Sequence, residues 1–199
     1  MSVYENFLNY FSMHNKERLD GLSESYFIPM TQQERKMAFK YLLAIVEAGG
    51  TEESVNGLFR VDRSCAIDSI KQLITSGALN GEAKIAATWN LYKIEKDDGL
   101  LPIFIQFMSS SDQRLREKSA YYVPAEVATD ELKDALKGMI RTETEQLARI
   151  HAVDKILECY RVSEESVGKR AFSDLYKDLH NNNLQVKEAA FKRLDAILG

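Results

Sequence analysis

The sequence predicts an all-α protein made of antiparallel helical hairpins packed in a row. Three observations carry that reading. Only three prolines and ten glycines punctuate 199 residues. That is too few for an all-β protein built on tight turns, whereas the good helix formers Ala, Leu, Glu and Lys are plentiful. Capping residues stand directly before runs of helical periodicity, and glycine or proline follows those runs. Finally, the first helices of successive pairs begin near residues 64, 99, 130 and 164, steps of about 35, 31 and 34 residues, which lie in the range of stacked helical-hairpin repeats.

Taken in order, residues 1–30 fit no repeating unit. Their aromatics, Tyr4, Phe7, Tyr10, Phe11, Tyr26 and Phe27, mark them as an N-terminal cap over the open end of the row. Thr31-Gln-Gln-Glu34 has the form of a capping box, in which the hydroxyl and the carboxylate each satisfy a free backbone N–H. It opens a helix that Gly49-Gly50 ends, because glycine tolerates the left-handed cap. With a short second element, Glu52–Phe59, this makes residues 31–60 a degenerate first repeat.

Residues 62–198 divide into four hairpins: Ser64–Thr75 with Asn80–Lys96, Leu100–Met108 with Gln113–Val123, Asp130–Ile140 with Thr144–Tyr160, and Glu164–Leu179 with Leu184–Leu198. Gly77 separates the first pair, Pro124 stops the second, and Asn181-Asn182-Asn183 turns the corner of the last. The 199 residues read as one domain, since stacking buries the apolar face that each hairpin alone would expose.

The second helices share a local chemistry. Ala83-Lys84-Ile85-Ala86-Ala87, Leu115-Arg116 with Ser119-Ala120, Leu147-Ala148-Arg149 with His151-Ala152, and Val186-Lys187 with Ala189-Ala190 each set an apolar residue near a cation and place small residues about one turn on. Small side chains at such positions allow helices to cross closely. In these residues, above all "NNNLQVKEAAFKRL" at 181–194 and Asp112 before Leu115-Arg116, the chain resembles the HEAT-repeat family. The resemblance implies a right-handed α-α superhelix of stacked hairpins, a HEAT-like solenoid. It also implies interaction between a corner Asp and the following basic residue across adjacent repeats, for Asp112, Arg116 and Lys187. Two features depart from the family pattern: Ala148 stands where the cation belongs, moving it to Arg149, and Pro102 falls in the first turns of its helix.

Composition narrows the function. Net charge is −4 and neither sign forms a block, so no basic nucleic-acid tail exists. No run approaches the ~20 apolar residues of a membrane span. The N-terminal stretch has neither a basic leader nor a small-residue cleavage site, which predicts a cytoplasmic protein. Cys65 and Cys159 sit in apolar helical patterns as expected buried free thiols, and His14, His151 and His180 lack metal-ligand spacing. No cofactor is expected. GxSxG, Walker, HExxH and dinucleotide motifs are all missing from the sequence, so the chain is expected not to be an enzyme.

The candidate binding face comprises Lys84, Asp112, Arg116, Tyr121, Tyr122, Glu145, Arg149 and Lys187. The four cations read either as a stripe for an acidic partner or, preferred, as rungs of a ladder to corner acids such as Asp112 and Glu145. One of Tyr121 and Tyr122 must point away from the inward face and so offers an interface anchor. Trp89 reads as a packing residue, with a stacking platform as its alternative. The acids Asp97, Asp98, Asp112, Asp130, Glu131, Glu143 and Glu145 read as helix caps.

The expected function is a non-enzymatic protein-binding module, in a narrower form a bacterial immunity protein that neutralises a cognate toxin, for which mild acidity suits a basic nuclease domain. The alternatives are a general HEAT-repeat adaptor or assembly factor, and a HEAT-like DNA-binding protein or alkylpurine DNA glycosylase, which the acidic pI of 5.5 disfavours.

Overall fold

The computed structural model describes residues 2–13 and 21–197; His14, Leu198 and Gly199 lie outside the described residues. Among those described there is no strand, and the chain forms twelve α-helices in two compact units, residues 1–96 and 97–199.

The first unit begins with α1 (Val3–Ser12), capped by a Ser2–Glu5 box. A single 3-10 turn, Glu24–Tyr26, precedes α2 (Gln32–Glu47), which opens on the expected Thr31–Glu34 box. Gly49 and Gly50 stop it with φ of 112° and 65°. Then follow α3 (Glu52–Val61), α4 (Arg63–Thr75) and α5 (Gly81–Glu95).

Although α3 looked like a short remnant in sequence, it is the centre of this unit. Ser54, Val55, Gly57, Leu58, Phe59 and Val61 are all buried, and α3 packs against α2, α4 and α5. Gly57 makes the crossing with α2 possible, because a Cβ there would lie 3.0 Å from the side chains of Leu42 and Leu22. The Ala-rich α5 is buried on several sides and lies mainly on α3; α4, which buries only Ala66 and Ile70, is its looser neighbour. The expected hairpin of α4 with α5 is therefore the weaker of α5's two pairings. In the N-terminal segment Phe7 and Tyr10 are fully buried, and Phe7 and Phe11 meet Tyr41 of α2 edge-on.

The second unit contains α6 (Leu101–Met108), α7 (Gln113–Tyr122), α8 (Asp130–Thr142), α9 (Gln146–Cys159), the short α10 (Glu164–Val167), α11 (Lys169–Leu179) and α12 (Leu184–Ile197). Pro102 sits in the first turn of α6, where its missing N–H costs nothing. Three antiparallel pairs are formed, α6 with α7, α8 with α9 and α11 with α12; α6 also packs on α8, and α7 on α9.

Two expectations change here. The single helix expected over 164–179 is two, because a Ser163–Ser166 box closes one turn and Gly168 breaks the chain at φ 86°. And α12 rests on α11 and α8, so the last pair departs from the plan of the two before it.

Candidate functional site

Three of the four second-helix cations, Arg116, Arg149 and Lys187, tie neighbouring elements together. Arg116 on α7 reaches the α8–α9 corner, where its Nε and Nη2 donate to the two carboxylate oxygens of Glu143 at 2.6 and 3.0 Å. Its Nη1 donates to the carbonyls of Ser110 and Ser111 at its own corner. Glu143, with 1% of its side chain exposed, also accepts from the N–H groups of Thr144 and Glu145. The guanidinium above all, with these N–H groups, holds its carboxyl below the usual carboxylate range against the opposing effect of burial. A planar guanidinium meeting a carboxylate at two points fixes distance and orientation together.

Lys187 and Arg149 repeat the idea with other partners. Lys187, expected to pair with a corner acid, is 4% exposed and donates from Nζ to the Ile140 carbonyl at the end of α8. Arg149 donates from Nη1 to Asn182 at the α11–α12 corner, 3.3 Å away. The acids expected to complete the ladder, Asp112 and Glu145, add their charge to the field at Arg116 behind Glu143, but among the described residues neither pairs with it directly. Asp112 caps α7 by accepting from Arg114 N–H, and the Glu145 side chain makes no cap bond. Glu143, read as a cap, is instead the principal anion of the corner. Lys84 lies in the first unit, half-buried, with its carbonyl accepting from the Thr88 hydroxyl.

The small pairs are also resolved. Ala86 with Ala87, and Ser119 with Ala120, are buried as expected; Ser119 donates to the Phe104 carbonyl, joining α7 to α6. In α12 only Ala190 is buried and Ala189 faces outward, so that pair is not doubly inward. Cys159 is buried and its thiol is pushed up to about 11 by desolvation, while Cys65, expected inside, is exposed.

Tyr121 is the side chain of the candidate face that stands out from the surface. It is 53% exposed and is braced edge-on by Tyr122 and by His151 of α9, with ring centroids 4.9 and 5.0 Å away. Leu147, one turn before His151 on α9, is 56% exposed. An aromatic side chain held by neighbours loses little conformational freedom on binding, which is what an interface anchor requires.

No family model matches the chain, and no curated protein or solved structure matches it either.

Among the described residues no group of three or more His, Cys, Asp or Glu side chains could hold a metal ion, and no helix is long and apolar enough to cross a membrane. The exposed side chains Tyr121 and Leu147 were only half legible in the sequence. Adjacent tyrosines on a helix must diverge, but which one emerges depends on how α7 rotates against α9. Leu147 carried no sequence signal that separates it from a core leucine.

Proposed function

We propose that the chain is a non-enzymatic protein-binding module whose hairpins form a HEAT-like solenoid, and whose partner docks on the α7–α9 face around Tyr121. The exposed, braced Tyr121 beside Leu147 is the observation that carries this reading. The packing supports the architecture: α7 and α9 run side by side in one direction, since Arg116 meets Glu143 and, further along both helices, Tyr121 meets His151. The narrower role is that of a bacterial immunity protein holding a toxin domain, to which a net charge of −4 gives a favourable field if that domain is basic.

Co-purification from the native host followed by mass spectrometry tests the binding role. A stoichiometric protein partner is expected with the natural chain. Tyr121→Ala, folded to the same thermal midpoint, is expected to weaken that complex by about 2 kcal/mol or more. An undiminished complex would place the interface elsewhere. Growth rescue on co-expression with a toxin encoded next to the gene tests the narrower role, and the lack of any such neighbouring toxin gene would reject it.

A further inference from the structure

We propose that Arg60, Arg63 and Lys93, gathered beside Trp89 in the first unit, form a second docking patch, one that receives an acidic segment of a protein partner. The register of two helices brings these residues together. Gly50 lies against Ala83, and Asn56 accepts a hydrogen bond from Asn90 at 2.7 Å. So α3 and α5 run in the same direction at an offset of roughly one repeat. One further turn along both helices sets Arg60 beside Lys93, and Arg63 follows immediately as α4 begins. All three side chains are exposed. Lys93 Nζ sits 5.4 Å from the centre of the Trp89 ring.

Among the described residues no carboxylate pairs with Arg60, Arg63 or Lys93. Burial and then the positive charges of Arg60 and Arg63 hold the Lys93 pKa below its ordinary value. The adjacent acids are committed elsewhere. Asp62 caps α4 by accepting from Cys65 N–H and the Ser64 hydroxyl, and Glu95 pairs with Lys71 at 2.6 Å. Like charges held together without a counter-charge raise the local potential and favour an incoming anion.

The form of the patch favours carboxylates on a protein over a nucleic acid. The Trp89 ring lies at 9° to Tyr92, 6.4 Å between centroids, and carries the Lys93 ammonium near it, so an aromatic side chain accompanies the cations. A long polyanion would also run on over a chain whose net charge is −4, and so be repelled. A short acidic segment meets three cations without that penalty. The Tyr121 face belongs to the other unit, and the two proposals are tested with different substitutions.

Trp89 is the only tryptophan in the chain, so its emission reports the patch directly. Titrating the full-length protein at low salt with a short glutamate-rich peptide carrying a single leucine should change that emission saturably. The change should fade as salt rises. The variant with Arg60→Glu, Arg63→Glu and Lys93→Glu should bind about tenfold more weakly or worse, whereas Lys93→Arg should retain binding. Because these positions are exposed, circular dichroism of the variants should be unchanged. Iodide should quench Trp89 more strongly than caesium, and the order should reverse in the triple variant. Equal quenching by the two ions, no saturable response to the peptide, or an equal response in the charge-reversed variant would overturn the proposal. Tighter binding of a single-stranded oligonucleotide than of the peptide would overturn the choice of occupant.

Discussion

Arg149 Nε and His180 Nε2 are both buried without a hydrogen-bond partner among the described residues. His180 lies between Arg149 and Asp154 of α9, Lys187 of α12 and the Tyr176 ring, 4.6 Å away on its own helix. Burial first, then the Arg149 and Lys187 charges, lower its pKa, and Asp154 only partly opposes them. The folded protein therefore holds His180 neutral, while the unfolded chain takes up a proton below about pH 6.5. Stability from this site is complete above that pH and is lost as pH falls towards the depressed folded value. Thermal melts from pH 7.5 downward should show this early loss, and His180→Phe should flatten it. A second loss should follow at lower pH, below the ordinary carboxylate range, as Glu143 is protonated and releases Arg116. Glu143→Gln should cost about 2 kcal/mol at neutral pH, read by denaturant unfolding, because it leaves the Arg116 fork without its charge. The cations and their helical positions were legible in the sequence. Their partners were not, since a long side chain reaching a neighbouring corner depends on how the helices stack, and one partner, the Ile140 carbonyl, carries no side-chain signature.

Helices show the same division between local signals and packing. The Thr31 box, the Gly49-Gly50 stop and the end of α7 before Pro124 were readable because each rests on one or two residues acting on their own backbone. The break at Gly168 was missed because a lone glycine within an apolar period lowers helix propensity without forbidding the helix. The Ala189-Ala190 pair was misread because composition names small residues but not the face on which they fall. Substitution tests the corrected view: Ala190→Leu, placed in a fully buried site, should destabilise by about 1–3 kcal/mol, whereas Ala189→Leu should lie within about 0.5 kcal/mol of the natural chain. Two helix-interior glycines should diverge in the same way. Gly138→Ala should stabilise by about 0.5–1 kcal/mol, since a Cβ there meets nothing within 4 Å. Gly57→Ala should destabilise, because its Cβ would press on Leu42 and Leu22. Chemical denaturation of the four variants separates these outcomes.

At the scale of the molecule, helical class followed from composition and period, but the central place of α3 did not, because its length and polar residues resembled a remnant. The aromatics before residue 31 pack into the first unit, with Phe7 and Tyr10 fully buried and the Tyr10 hydroxyl donating to Glu53 at 2.6 Å. Removing residues 1–30 should lower the thermal midpoint by about 5 °C or more; an unchanged midpoint would refute the cap. The two thiols also differ sharply in access. Cys159 is buried and reluctant to ionise, while Cys65 is exposed at the start of α4. Titration with a disulfide reagent should register one thiol in the native protein and two in denaturant. The natural sequence thus provides a unique attachment point for a maleimide dye within the first unit, so its motions and occupancy can be followed while residues 97–199 remain unlabelled and no residue is altered.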